Sequence, residues 1–266
     1  MKRLRIAVVQ LSATRDVGHN LRELARLAAR ATRADLIALP EVFALRGSDD
    51  DYRRAAESLS GRVVAEMADL ARRRKAWVLA GSVIERAGRK AFNTCVLLDR
   101  RGRIAATYRK IHLFEAHLDD GRHIREADAY EAGRTPVMVD IEGWKAGLSI
   151  CYDLRFPELF RHYAARGAQL LFAPSNFTQR TGKDHWEVLV RARAIENQCF
   201  VVAPDQCGRN QAIGVESHGH SMAVGPWGDV LGSAGTSPTV FTVELAPGLL
   251  TDTRRRVPAL KHRVLF

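Results

Sequence analysis

The chain is poor in the features that mark oxidised, membrane-bound or nucleotide-using proteins. Its 266 residues include only four cysteines, at positions 95, 151, 199 and 207. They form no Cys-x-x-Cys pair and no Cys/His spacing of a zinc module, so neither a disulfide framework nor a structural zinc site is expected. No apolar run approaches the roughly 20 residues that cross a bilayer. The basic start, Met1-Lys2-Arg3-Leu4-Arg5, leads into an apolar segment that stops at Gln10, short for a secretory leader. These features give the expectation of a cytoplasmic chain with no membrane partner. No glycine-rich loop of the kind that cradles phosphate is present. Repeats, low-complexity tracts and Pro/Gly/Ser linkers are missing too, so residues 1–266 read as a single domain.

Charge is the one extreme. There are 41 Lys and Arg against 30 Asp and Glu, a formal net charge of +11, and the sequence pI is near 10.0. Such a balance raises a basic nucleic-acid-binding module as a remote alternative. The basic residues concentrate at 72–75, 254–256 and 261–263, without a recognition helix or an RNA-binding aromatic motif. The first run closes a predicted helix, where cations complement the dipole. A solvated arginine-rich surface is the simpler reading, and no nucleic-acid partner is expected.

Apolar strands and amphipathic helices alternate from the start. Strands are expected at 4–9, 36–39, 77–84, 95–98, 104–108, 147–150, 169–173, 199–203, 219–224 and 240–243. Leu21, Leu24, Leu27 and Ala28 mark one helix, and Val63, Met67 and Leu70 another. Further helices are expected at 157–166 and 184–197. Strands apolar on both faces require a sheet covered on each side. So many strands overload one open sheet, which points to two packed sheets with helices outside. Cys95 and Cys199 read as small core residues.

Cys151 is different. It follows the apolar run 147–150 and precedes Pro157, which suits a first helical turn. A thiol at a strand-to-helix turn meets backbone N–H groups and a helix dipole, both of which favour thiolate. The alternative is a buried structural cysteine. Two other polar residues also end apolar strands: Glu41 after 36–40 and Lys110 after 104–108. Three strands of one layer ending at a common crevice would bring carboxylate, ammonium and thiol together. Amide hydrolysis needs that set: a nucleophile, a proton shuttle and an oxyanion stabiliser. Glu41, beside Pro40 and Phe43, is expected to have a raised pKa suited to a base that then serves as acid. A Cys–His dyad is the competing arrangement, with His112, His185, His218 and His220 available, but Cys151 lacks the local patterns of papain-like or caspase-like nucleophiles.

Leu39-Pro40-Glu41, Tyr108-Arg109-Lys110-Ile111-His112-Leu113-Phe114 and Ile150-Cys151-Tyr152-Asp153-Leu154-Arg155-Phe156-Pro157-Glu158 resemble the three signatures of the nitrilase superfamily of carbon–nitrogen hydrolases. The resemblance runs nearly end to end. It implies an α/β fold, a four-layer αββα sandwich, and a Glu–Lys–Cys triad on Glu41, Lys110 and Cys151. It also implies a second glutamate at Glu126 that helps position Lys110 and substrate. The segments 181–189, 191–198, 219–222 and 226–228 resemble the Nit branch, which contains deaminated-glutathione amidases and ω-amidases. Asn197-Gln198-Cys199 and Gln206-Cys207-Gly208 look closer to the former.

What the resemblance implies is an amidohydrolase that cleaves a linear carboxamide to acid and ammonia through a cysteine acyl-thioester, with no cofactor and no metal. Lys110 and the Tyr152 backbone N–H would hold the oxyanion. Asn176, Gln179 and Arg180 are candidate substrate contacts, Arg180 for a distal carboxylate. Asp153, Arg155 and Glu158 would lock the nucleophile turn by ion pairing. Residues 115–121, which depart from the usual wording, would line the entrance. An N-carbamoyl amine or amino-acid hydrolase is the alternative within the superfamily. A homodimer, or a higher homo-oligomer, packing helices near 157–166 and 184–197 across a two-fold axis is also implied.

Overall fold

The computed structural model describes residues 1–117, 121 and 123–265. Strands β1 (Leu4–Gln10), β2 (Leu36–Ala38), β3 (Trp77–Ala87), β4 (Lys90–Leu98) and β5 (Ile104–Arg109) come first, followed by a hairpin of β6 (Glu115–His117) and β7 (His123–Arg125). Next are β8 (Val137–Ile141), β9 (Trp144–Leu148), β10 (Leu170–Phe172), β11 (Phe200–Ala203) and a second hairpin, β12 (Cys207–Asn210) with β13 (Val215–His218). The last strands are β14 (Met222–Val224), β15 (Val230–Ser233) and β16 (Thr239–Leu245). Helices α1 (Val17–Ala29), α2 (Asp49–Ala55), α3 (Arg62–Arg74), α4 (Pro157–Ala165), α5 (Gln179–Asn197) and α6 (Pro247–Arg256) connect them.

Two six-stranded sheets result, ordered β16-β1-β2-β3-β4-β5 and β15-β14-β11-β10-β9-β8. The period of two along each strand explains why both faces are apolar. In β1, Ile6 and Val8 enter a core shared with Leu148 and Leu170 of the other sheet. Their neighbours Ala7 and Val9 face outward onto Leu24 and Leu27 of α1 and Met67 and Leu70 of α3. On the far side Leu159 and Phe160 of α4 and Trp186, Val190 and Ala194 of α5 cover the second sheet. The layers are therefore helix, sheet, sheet, helix, which is the αββα sandwich. Among the described residues no helix is long and apolar enough to cross a membrane.

Several elements depart from the sequence reading. The strand expected at 147–150 is β9, which ends at Leu148. Helix α5 begins five residues before the expected 184, because the Thr178 side chain caps the N–H of Thr181. The strand expected at 219–224 begins only at Met222. Helix α2, opened by a Ser48–Asp51 capping box, was not foreseen. The arginine runs at 72–74 and 254–256 lie in the last turns of α3 and α6, where they meet the negative end of each helix dipole.

Candidate active site

Glu41, Lys110 and Cys151 meet, but not from one layer. Glu41 and Lys110 follow β2 and β5 of the first sheet, whereas Cys151 follows β9 of the second. The crevice lies between the sheets, which corrects the single-layer expectation. Identical apolar patterning in both sheets hides that division from the sequence.

Each side chain is set by a local backbone device. Beyond β2 the chain bends at Glu41 and Val42, the latter at φ 48°, and Val42 N–H donates to Ser82 Oγ at 2.9 Å. Gly81 makes the bend possible: a Cβ there would lie 2.0 Å from Leu39 O and 2.4 Å from Pro40 O. Lys110 N–H continues the ladder to Asn93 O at 2.9 Å. Cys151 has φ 49°, a left-handed conformation uncommon for a side-chain-bearing residue. Its N–H donates to Pro174 O at 2.9 Å. A short 3-10 turn, Cys151–Arg155, then precedes α4, so the thiol does not sit directly on the helix N-terminus.

The charged groups are almost dry. Relative exposures are 4% for Glu41, 2% for Lys110 and 6% for Cys151. Lys110 Nζ donates to Glu41 Oε1 at 2.8 Å and lies 2.8 Å from Glu126 Oε2. Asn93 Nδ2, which the sequence reading missed, bridges the same two carboxylates at 2.8 and 2.9 Å. Its signal was an amide, a residue depleted in strands, just ahead of the apolar run 95–98. Phe114 N–H also donates to Glu126 Oε2, at 2.7 Å.

Electrostatics follow from this arrangement. Burial and the Glu126 charge push the Glu41 carboxyl up, while Lys110 opposes them. Burial alone would discharge Lys110, yet Glu126 and Glu41 outweigh it and hold the ammonium well above the usual lysine range. Burial and the Glu41 carboxylate push the Cys151 thiol well up, against the pull of Lys110 and of the Asn176 N–H. Burial and Glu41 thus work against the thiolate that the sequence reading expects, and Lys110 works for it. Asp205, also unforeseen, is a fully buried carboxyl raised well above its usual range by desolvation.

A cavity of about 630 Å³ opens above these groups, lined also by Tyr152, Asn176, Phe177, Thr178 and Thr181. Asn176 Oδ1 accepts from Ser217 Oγ at 2.7 Å. Gln179 and Arg180 do not line it. Both are exposed in the first turn of α5, and Gln179 Oε1 instead meets His218 Nδ1 at 3.2 Å. At the mouth stand Arg53, His123, Arg125 and Arg155. Arg53 and Arg125 are drawn to Asp50 and Asp128, while Arg155 is set by His185 Nδ1 and the rings of Tyr152 and Phe177.

The nucleophile turn is tied down by hydrogen bonds rather than by an Asp153–Arg155–Glu158 network. Buried Asp153 accepts from Tyr108 Oη at 2.7 Å and Ile150 N–H at 2.8 Å, and meets His112 Nδ1 at 2.6 Å. Glu158 is exposed. Of the expected entrance segment 115–121, β6 does not line the cavity; it pairs with β7, which follows the segment and does line it. Residues 118–120 lie outside the described residues.

The family model for carbon–nitrogen hydrolases matches residues 5–255. The chain belongs to the carbon–nitrogen hydrolase family. It is 39% identical to a deaminated glutathione amidase of Synechocystis sp. over 99% of both chains. It is 32% identical to the ω-amidase NIT2 of Danio rerio, over 99% of this chain and 95% of that one. The C. elegans NitFhit structure superposes with a TM-score of 0.92 at 34% identity, covering 98% of this chain and 65% of that longer one. A Glu-to-Gln variant of the amidase from Nesterenkonia sp. AN1, with the acetamide moiety of fluoroacetamide added covalently at its active-site cysteine, gives a TM-score of 0.82 at 28% identity, covering 98% and 94%. Membership in this family makes the chain a hydrolytic amidase.

Proposed function

We propose that this carbon–nitrogen hydrolase cleaves the ω-amide of a small carboxylate-bearing compound, such as deaminated glutathione or an α-keto acid monoamide, to acid and ammonia. The observation that carries the reading is the dry cluster in which one ammonium is held 2.8 Å from each of two carboxylates beside a thiol. Glu41 takes the thiol proton as the Cys151 sulfur bonds to the amide carbon. Lys110 and the Tyr152 N–H hold the oxyanion. The tetrahedral adduct collapses as Glu41 returns the proton to nitrogen, ammonia leaves, and an acyl-thioester remains. Glu41 then removes a proton from water, whose oxygen attacks the thioester. Collapse of the second adduct releases the acid and restores the thiol. Glu126 serves as a positioning residue, because it acts through Lys110. A carboxyl with a raised pKa suits this double duty.

On the cavity wall Arg155 replaces Arg180 as our candidate for the substrate carboxylate. Four free, buried thiols suit a reducing compartment such as the cytoplasm. Exposed Val188 and Ile195 on α5, with Trp227 nearby, offer an apolar face to a second copy of the chain. The test of function is ammonia release across deaminated glutathione, α-keto acid monoamides, neutral short amides and N-carbamoyl amino acids. Selective turnover of the first two supports the reading. Preferential release of carbon dioxide with ammonia from carbamoyl compounds would replace it.

A further inference from the structure

The hairpin at the cavity mouth carries a set of donors that the amidase chemistry does not use. In β6 and β7 the register pairs Glu115 with Arg125, Ala116 with Ile124 and His117 with His123. Residues directly opposite one another share a sheet face, as do residues two apart on one strand. Glu115, His117 and His123 therefore project on the same side. The two imidazoles stack at 4.3 Å between centroids and 8° between planes. Glu115 Oε1 lies 2.9 Å from His123 Nε2, so the carboxylate already faces a ring nitrogen. One donor atom from each of the three lies within 4.8 Å of the others. A tetrahedral ion with bonds of about 2.1 Å requires donors roughly 3.4 Å apart, a separation that rotation of three exposed side chains can reach. Arg125, the cation opposite Glu115, is drawn away toward Asp128 at 3.7 Å.

We propose that Glu115, His117 and His123 form a binding site for a divalent transition-metal ion of the zinc class at the mouth of the cavity. Two imidazoles and a carboxylate match the donor preference of such ions, and three protein ligands leave a coordination position open. Its place gives it leverage on the site. The hairpin ends are clamped together by Glu126 N–H donating to Phe114 O at 2.8 Å and Phe114 N–H donating to Glu126 Oε2 at 2.7 Å. The same Glu126 holds Lys110. Residues His123, Ile124 and Arg125 line the cavity. A bound ion cross-links β6 to β7, stiffens this wall and adds positive charge where substrate enters.

The test uses full-length protein carrying Cys151→Ala, which removes the one cavity thiol that would compete for metal. After chelator treatment, cobalt(II) is titrated and its visible absorption followed, then zinc is added in competition. One equivalent of saturable cobalt, displaced by zinc, is expected. Adding His117→Ala with His123→Ala should weaken binding more than about a hundredfold, since losing an outer-shell partner alone costs about 10–100-fold. Glu115→Gln, which preserves size, should weaken it less. Backbone amide exchange across 114–126 should slow on zinc addition in the Cys151→Ala protein and stay unchanged in the triple variant. No saturable cobalt binding, or equal affinity with and without the two histidines in folded protein, would overturn the proposal. Because the readouts are spectroscopic and run without the nucleophile, failure of the amidase reading leaves this test intact.

Discussion

Replacing Glu126 with Gln separates positioning from chemistry. The amide keeps the shape and can still accept from Phe114 N–H, which now lies 2.7 Å from Oε2. It removes one of the two carboxylates that hold Lys110 at 2.8 Å. A hydrogen bond to a charged group is worth about 1.5–3 kcal/mol. If that stabilisation is exerted on the oxyanion through Lys110, kcat falls about 10–100-fold, at about 1.4 kcal/mol per tenfold, while KM moves little. The pH profile gives an independent sign. Glu126 is a cause of the raised Glu41 pKa and the largest favourable cause of the raised Lys110 pKa. Removing its charge lowers both, so the acidic and basic limbs of kcat/KM each move to lower pH. Continuous ammonia assays across pH, with a thermal melt as a folding control, measure this. An unchanged kcat, or an acidic limb displaced upward, would refute the reasoning.

Gly81→Ala drives a Cβ to 2.0 Å from Leu39 O. Because the obstacle is backbone, the variant should lose about 3 kcal/mol or more in urea unfolding, and a loss below 1 kcal/mol, to order of magnitude, would mean that the bend relaxes freely. Arg155→Met should raise KM for carboxylate-bearing amides about tenfold and spare neutral amides; equal losses on both would remove Arg155 from substrate binding. Buried Asp205 has a raised pKa in the folded state, so its contribution is full below the unfolded value and declines as pH rises through the folded one. Asp205→Asn, which retains an acceptor for Phe177 N–H, should gain stability relative to wild type between about pH 5 and about pH 8. Denaturant midpoints at the two pH values check the sign. Sedimentation of Val188→Glu with Ile195→Glu should show a smaller assembly than wild type.

Local chemistry made much of this molecule legible. Polar residues ending apolar runs marked Glu41, Lys110 and Cys151, and helical spacing at Leu24, Leu27, Met67 and Leu70 marked the outer layers. Other features depend on distant parts of the chain. Burial and Glu41, which comes from the other sheet, push the Cys151 thiol pKa up. Arg180 looked suited to substrate until the Thr178 cap started α5 there and left its side chain exposed. Arg155, read as a lock on the turn, is on the cavity wall, held there by His185 and the rings of Tyr152 and Phe177, which are distant in sequence or contact it only in the fold. The His117–His123 pair becomes visible only once the hairpin register is known.

Hydroxylamine partitioning tests the covalent route most directly. If Cys151 carries the acyl group, added hydroxylamine should intercept it, giving hydroxamate at the expense of acid while ammonia release continues at the same or a faster rate. The hydroxamate should disappear with Cys151→Ala. Steady release of ammonia and acid by wild-type enzyme with no hydroxamate at any hydroxylamine concentration would contradict a thioester on Cys151.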